Sequence, residues 1–100
     1  MQLPETWHEN IRQWAARTPS VQQVWLFGSR ARDEAEPHSD VDLAIVLTRP
    51  TGRHDWAHGT YQRFGDDWQN ELKAIVGRDV SLELLPDRDI GPRVLLWTRQ

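Results

Sequence analysis

Two short groups of polar residues stand at the ends of neighbouring apolar runs. Gly28 and Ser29 follow a run that ends at Phe27, and Asp40 and Asp42 open the next run. A glycine at a strand end lets the backbone approach a ligand closely. The free N–H groups of a helical turn that begins there, with the Ser29 hydroxyl, can bind an anion such as a phosphate. The first group therefore indicates an anion site, although a Gly-Ser pair also occurs as an ordinary turn.

The two aspartates indicate a metal site. Asp40 and Asp42 are two residues apart on a predicted strand, so both side chains leave the same face. Neighbouring carboxylates repel each other, and a cation offsets that repulsion and their desolvation. Mg²⁺ prefers oxygen ligands and shares its positions with substrate phosphates, and two such ions can hold both oxygens of a nucleotidyl transfer. For the acids alone, a turn followed by an exposed strand position is the alternative, but both groups together predict one site for a nucleoside triphosphate.

The elements that position these groups follow from hydrophobic periodicity and from proline and glycine. A capping box at Thr6 and Glu9 predicts the first helix start, and Gly77 ends a long amphipathic helix. The tail after position 86 is compatible with one helical turn or with an edge strand at 94–97. In chain order we predict a helix at 7–17, a strand at 21–27, a short helix at 30–35, a strand at 41–48, a loop at 49–53, a long helix at 56–76 and a strand at 80–85. This order predicts a small α/β or α+β domain with three or four strands.

Length and composition narrow the function classes. A chain of 100 residues is long enough for one core, so we expect a single domain over residues 1–100. The net charge of -3 and the scattered Lys and Arg residues argue against autonomous nucleic-acid binding. The chain has no cysteine for disulfides or Cys-ligated zinc, and no signal-like or membrane-spanning run. We therefore expect a soluble, cytoplasmic protein with no membrane association.

Other candidate residues carry weaker signals. His54 and His58 are four residues apart, a spacing that can hold zinc, but no third ligand accompanies them and an exposed helix start is preferred. Tyr61 is expected to pack on its helix rather than to accept a nucleotide. Most of the six tryptophans are expected in the core, with Trp25 and its neighbour Phe27 among the core residues. At least one tryptophan is compatible with a partner-binding face.

The two polar groups resemble a known signature. Residues 28–32, Gly-Ser-Arg-Ala-Arg, and residues 39–43, Ser-Asp-Val-Asp-Leu, are similar to the GSxARG and SDxDL motifs of the minimal nucleotidyltransferases, a branch of the DNA polymerase β-like superfamily. The resemblance covers nearly the whole chain and implies a nucleotidyltransferase fold with a mixed or antiparallel sheet. It also implies binding of ATP or another nucleoside triphosphate with Mg²⁺, and transfer of the nucleoside monophosphate to an acceptor hydroxyl. Minimal members often pair as antitoxins with a helical HEPN toxin, and some adenylylate a tyrosine of that toxin.

The resemblance implies roles for individual residues. The triphosphate would be bound by Gly28, Ser29, Arg32 and Ser39, and the metal ions by Asp40 and Asp42. The two aspartates would also be catalytic. The acceptor surface would come from the partner, because the chain is too short for a second domain.

Two positions depart from the family pattern. Asp33 stands where the family usually has glycine, which adds a negative charge near the phosphate loop. Ser81 stands where the third strand usually carries an aspartate that binds a metal and helps to deprotonate the acceptor. Serine has no charge and no useful basicity near neutral pH. Glu83 follows on the same strand face and is the preferred replacement, with Asp79 as the other candidate. An antitoxin with a weakened or inactive site, which acts by binding its partner, is the alternative function.

Overall fold

The chain forms a four-stranded sheet with helices packed on it. The computed structural model describes residues 3–36, 38–48, 56–85 and 91–99, and for residues 56–60 the backbone alone. In chain order the elements are α1 (Glu5–Ala16), β1 (Val21–Phe27), α2 (Gly28–Ala31), β2 (Val41–Leu47), α3 (Trp56–Val76), β3 (Val80–Leu84) and β4 (Val94–Thr98). Within these ranges no helix has both the length and the apolar character needed to cross a membrane.

The sheet is mixed. Its strand order is β3-β2-β1-β4. β1 pairs antiparallel with β2 and with β4, whereas β2 pairs parallel with β3. The predicted α/β (α+β) class and the mixed sheet flanked by helices are therefore confirmed.

The long helices α1 and α3 share one core with one face of the sheet. Side chains alternate along a strand, and Val41 and Leu43 of β2 are fully buried in this core. Trp14 of α1 and Leu72 of α3 are fully buried in the same core. Asp42 lies between two buried residues of its strand, so its side chain leaves the opposite face, away from these helices.

Most predicted boundaries are correct to within one or two residues. β1 and α3 have the predicted bounds, and β2 and β3 each end one residue earlier than predicted. The tail contains the edge strand β4, which decides between the two predicted alternatives. The predicted loop at 49–53 and His54 lie outside the described residues, as does the side chain of His58.

Helix α1 begins earlier than predicted, and the predicted capping box is wrong. Pro4 precedes the first helical residue, and no side chain caps the helix. Thr6 lies within the first turn, and the Glu9 carboxylate accepts hydrogen bonds from Arg12 and Gln13 further along the helix. The fixed φ of proline suits the residue that leads into a helix, so the helix extends back to Pro4.

Helix α2 also begins earlier than predicted, at Gly28 rather than at Arg30. Gly28 has a φ of 73°, a left-handed conformation that lets the chain turn directly from β1 into the helix. Asp33, just after this helix, has a φ of 58° and is the one described residue other than glycine with a positive φ. Aspartate tolerates this conformation better than most residues do. The backbone thus has a glycine-like conformation where the resembling family usually has glycine.

Side chains of α3 cover the outer edge of β3. The Gln69 side-chain oxygen accepts a hydrogen bond from the Leu82 N–H at 3.3 Å, and the Tyr61 hydroxyl donates to the Leu82 carbonyl at 2.6 Å. An edge strand otherwise offers these groups to another strand. Tyr61 is partly buried against the core, as predicted for a packing residue.

The tryptophans are less buried than predicted. Of those whose side chains are described, the buried ones are Trp14 and Trp68, and the partly buried ones are Trp7, Trp25 and Trp97. Trp25 and Phe27 are partly buried and pack in a second, smaller hydrophobic cluster, apart from the main core. Strand alternation turns both side chains to the other face of the sheet, where they pack beside Ala44. There the Arg93 guanidinium lies 4.9 Å from the centre of the Trp25 ring.

Candidate active site

The fold brings the predicted anion turn and the predicted metal carboxylates together. β1 and β2 run antiparallel with Phe27 opposite Asp42, so the end of one strand lies beside the start of the other. Helix α2 begins at Gly28, immediately after Phe27. A Cβ atom at Gly28 would collide with the Asp42 carboxylate. Glycine is therefore required at this position both for its backbone conformation and for the close approach of Asp42.

The Asp42 carboxyl lies in a field of other charges. Burial raises its pKa above the ordinary value, and the nearby carboxylates of Asp40 and Glu83 raise it further. The Arg32 guanidinium and a hydrogen bond from Ser81 act in the opposite direction and lower it. These interactions bring three acidic side chains and one basic side chain into one neighbourhood on the face of the sheet that α1 and α3 leave open.

The register of the parallel strands shows which residues of β3 lie beside Asp42. Asp42 pairs with Ser81, and Ala44 pairs with Glu83. Ser81 therefore stands directly beside Asp42, in the place where the resembling family has its third carboxylate. Glu83 lies one residue pair further along the same face, and its charge raises the pKa of Asp42.

Asp79, the other candidate for the third acid, is engaged elsewhere. Its carboxylate lies 3.3 Å from the Lys73 ammonium, and its side chain is 73% exposed. Its backbone carbonyl accepts a hydrogen bond from Val41 N–H at 2.9 Å, which closes the start of the parallel pair. The contacts of Asp79 are those of a strand-end residue, whereas Glu83 acts on Asp42 directly.

The other two predicted nucleotide-binding residues lie in the connection between α2 and β2. Arg32 donates to the Glu34 carboxylate at 3.0 Å, and its positive charge acts to lower the pKa of Asp42. The Ser39 hydroxyl oxygen accepts a hydrogen bond from Glu36 N–H at 2.9 Å. Arg32 therefore belongs to the electrostatic surroundings of the carboxylates, and the Ser39 side chain serves its own loop.

A groove of about 370 Å³ opens beside Asp40. Its lining consists of His38, Asp40, Lys73, Gly77, Arg78 and Asp79. It gives a ligand space next to one of the predicted metal carboxylates. A larger groove of about 580 Å³ runs along β4 and has none of the predicted site residues in its lining.

The donor set fits Mg²⁺ that is shared with a nucleotide. Among the described residues, no group of three or more His, Cys, Asp or Glu side chains is arranged to hold a metal ion. Asp40 and Asp42 supply two carboxylates, and burial together with the charge of Asp40 raises the pKa of Asp42. Mg²⁺ is commonly bound by one or two carboxylates together with substrate phosphates. The two aspartates would hold the ion, and the phosphates would complete its ligands.

Two features of the site were not predicted from the sequence. Arg30 is buried, with 5% of its surface exposed, and its guanidinium donates to the Ser39 carbonyl. Ser81 donates a hydrogen bond to Asp42. Arg30 occupies the unspecified position of the GSxARG motif, so the motif gives no sign that it is buried. The hydrogen bond from Ser81 to Asp42 depends on the register of β2 and β3, which the sequence does not show.

Solved structures share this fold. A chain from the structure of a tri-AMPylated Shewanella oneidensis HEPN toxin in complex with MNT antitoxin is 18% identical, with 99% of this chain and 74% of that chain covered and a TM-score of 0.64. A chain from a toxin–antitoxin structure with AMP-PNP is 20% identical, with 93% and 74% covered and a TM-score of 0.64. A candidate nucleotidyltransferase from Sulfolobus solfataricus is 23% identical, with 92% and 77% covered and a TM-score of 0.58. At these identities the likeness concerns the fold.

The sequence itself matches a family. No curated protein matches it significantly. The family model described as polymerase beta, nucleotidyltransferase matches residues 9–91, which include the anion turn, both aspartates and β3. Because this match spans most of the chain and the fold agrees with it, the chain belongs to the polymerase β-type nucleotidyltransferase family.

Proposed function

We propose that the chain is a Mg²⁺-dependent nucleotidyltransferase of the minimal type that transfers AMP from ATP to a hydroxyl of a helical, HEPN-like partner. Family membership supports nucleotidyl transfer. The similar structures, one of an AMPylated HEPN toxin with its MNT antitoxin and one with AMP-PNP, support the partner and the nucleotide. The observation that carries the proposal is the contact between the Gly28 turn and the Asp42 carboxylate, which joins an anion site to a metal site.

Each half of the site would have its own task. The first turn of α2 and the Ser29 hydroxyl would bind the triphosphate, with the Arg32 guanidinium as a further positive group. Asp40 and Asp42 would hold the metal ions, which when bound supply positive charge at the phosphates. Metal binding would also relieve the repulsion that raises the pKa of Asp42.

The transfer step needs a proton acceptor. An oxygen of the acceptor hydroxyl forms a bond to the α-phosphorus, the bond between this phosphorus and the β-phosphate oxygen breaks, and pyrophosphate leaves. The hydroxyl proton goes to the Glu83 carboxylate, which shares its sheet face with Asp42. Ser81 would keep Asp42 oriented through its hydrogen bond.

The second candidate function is an antitoxin that acts by binding its partner. Serine at position 81, directly beside Asp42, favours this alternative because the strand position closest to the metal carboxylates carries no acid. Nucleotide binding would then persist without transfer.

The test is transfer of label from α-labelled ATP to the helical protein that co-purifies with the chain. We expect Mg²⁺-dependent labelling that disappears in Asp42→Asn and persists in Asp67→Asn, an exposed acid of α3 that serves as the matched control. Calorimetry with Mg²⁺ and AMP-PNP measures binding separately. Binding without labelling would establish the second candidate function, and full labelling by Asp42→Asn would exclude the metal role of that residue.

A further inference from the structure

The side chain of Arg30 is buried between α1 and the loop that precedes β2. It is 5% exposed, and no other polar or charged residue of the described ranges is buried. Its Nε and Nη2 atoms donate to the same backbone carbonyl, that of Ser39, at 3.3 and 2.8 Å. Its Cζ atom lies 5.2 Å from the centre of the Trp7 ring. A helix side chain thus joins three segments of the chain.

The burial of this cation has a physical cost that its contacts offset. An arginine in a low-dielectric environment is destabilising unless charge-assisted hydrogen bonds compensate it. The carbonyl of Ser39 supplies two such bonds, and the ring of Trp7 adds a cation–π contact. The planar guanidinium can direct two N–H groups at one oxygen, whereas the ammonium of lysine is a compact point charge. The geometry is therefore specific for arginine.

The carbonyl that Arg30 binds is adjacent to the metal carboxylates. Ser39 immediately precedes Asp40, and Arg30 lies in the same short helix as Gly28 and Ser29. The connection of eight residues between Arg30 and Ser39 also contains a short turn contact, from the Ser39 N–H to the Glu36 carbonyl at 3.0 Å. The Arg30 hydrogen bonds thus link the anion turn to the start of β2 across this connection.

We propose that Arg30 is a positioning residue that sets the spacing between the phosphate-binding turn and Asp40 before nucleotide binds. The inference rests on the proposed function, because the spacing matters for a ligand that spans both groups. In this proposal the guanidinium acts through the Ser39 carbonyl and not by direct contact with nucleotide or metal. Trp7 holds the guanidinium from the other side and so connects α1 to the site.

Arg99 offers a matched control. Its guanidinium donates to the carbonyls of Val21, Ala15 and Thr18 at 3.0 to 3.1 Å and lies 4.9 Å from the centre of the Trp97 ring. The contacts are of the same kind as those of Arg30. They lie at the start of β1, however, whereas the candidate site lies at its end.

The experiment compares Arg30→Lys with Arg99→Lys in the full chain. Both substitutions remove directed hydrogen bonds to carbonyls, so we expect both to lower the unfolding temperature. In calorimetric titrations with Mg²⁺ and AMP-PNP, we expect Arg30→Lys to weaken binding by about 10- to 100-fold, the range for residues that orient metal ligands. Arg99→Lys should bind as the wild type does.

A second measurement needs no ligand. Amide hydrogen exchange at Ser39 reports on the turn that Arg30 holds, and we expect faster exchange in Arg30→Lys but not in Arg99→Lys. Trp7→Leu, which keeps the arginine and removes the ring, should give a smaller change in the same direction. If Arg30→Lys does not fold, Trp7→Leu tests the positioning role in its place.

The outcomes separate the inference from the proposed function. Equal AMP-PNP affinity and equal Ser39 exchange in Arg30→Lys and wild type would overturn the positioning role. A wild type that binds no AMP-PNP, with faster Ser39 exchange confined to the Arg30 and Trp7 variants, would overturn the proposed function and leave the positioning of Asp40 supported. Weakened binding in Arg99→Lys as well would reduce the Arg30 effect to general stability and overturn the inference.

Discussion

At the residue scale, the site depends on two contacts of the Asp42 carboxylate, one with the backbone at Gly28 and one with the Ser81 side chain. Its carboxylate occupies the space that a side chain at position 28 would need, and Ser81 donates a hydrogen bond to it. The first contact fixes the distance between the anion turn and the carboxylate. The second orients the carboxylate without adding charge. Both contacts can be removed by single substitutions.

Gly28→Ala should disrupt the site beyond the effect of backbone strain. A left-handed conformation costs a residue with a Cβ about 1 to 2 kcal/mol, and at Gly28 the new methyl group would also displace Asp42. Gly77→Ala is the matched control, since Gly77 has a φ of 78° and no atom within 4 Å of an added Cβ. Urea unfolding should give a larger loss of stability for Gly28→Ala, and calorimetry should detect a loss of AMP-PNP binding in that variant alone. Equal losses and intact binding would contradict the predicted collision.

Asp42→Asn should stabilise the metal-free protein near neutral pH. Burial and neighbouring carboxylates raise the pKa of Asp42 in the folded state, so the folded state holds the proton more tightly than the unfolded state does. The stability linked to this proton is present below the ordinary pKa and is lost as the pH rises through the folded pKa. Thermal unfolding should therefore favour Asp42→Asn at pH 7, with a difference from wild type that narrows toward pH 3.8, the ordinary value.

The same variant should lose this advantage when ligand is present. Mg²⁺ with AMP-PNP should raise the unfolding temperature of the wild type by mass action and leave Asp42→Asn unchanged. A metal-free Asp42→Asn protein that unfolds below the wild type at pH 7 would show that the carboxylate is favourably paired rather than repelled.

At the scale of elements, the register of the parallel strand β3 determines which of its side chains lie beside Asp42. Its register sets Ser81 beside Asp42 and Glu83 one pair beyond, and α3 holds Leu82 between them through Tyr61 and Gln69. Because β3 pairs with β2 on one edge and with side chains of α3 on the other, it cannot shift along β2 to bring Glu83 into the position of Ser81. If Glu83 supplies the third acid, its longer side chain must therefore cover the remaining distance.

Two substitutions in β3 distinguish the sources of the proton acceptor. If Glu83 accepts the proton, Glu83→Gln should lower the rate of AMP transfer by about 100-fold or more, the usual contribution of a general base. Ser81→Asp should raise the rate by restoring an acid beside Asp42, and should lower metal-free stability because it adds a like charge there. Glu71→Gln, at an exposed position of α3, is the control. If Glu83→Gln leaves the transfer rate unchanged and Ser81→Asp raises it strongly, Glu83 is not the proton acceptor, and the acid that the site lacks belongs at position 81.

The elements also indicate which features local sequence encodes. β1 and α3 were predictable with their bounds, because apolar residues at strand or helix spacing and the glycine that follows each element mark them. The capping box failed because Pro4 starts α1 earlier. The cluster in which Trp25 and Phe27 pack was not predictable, because strand periodicity indicates two faces but not which one the helices cover. Arg30 was overlooked because arginine is rarely buried.

At the scale of the whole molecule, the predictable half of the site is formed by segments that follow each other directly in the chain. Gly28, Ser29, Asp40 and Asp42 come from consecutive segments, so their spacing in the sequence indicates their meeting in space. The register that sets Ser81 beside Asp42 joins segments on either side of α3, and no short-range pattern encodes it. The sequence pattern therefore does not show which of Glu83 and Asp79 shares a sheet face with Asp42.

The parallel pairing of β2 with β3 joins two segments of the site that are separated in the chain by α3. β1 and β2 follow each other closely in the chain, whereas β3 reaches β2 only after the chain has passed through α3. Contacts between distant segments form late, because a longer loop must close first. We therefore expect the Gly28 turn and the two aspartates to meet during folding before Ser81 and Glu83 arrive beside them.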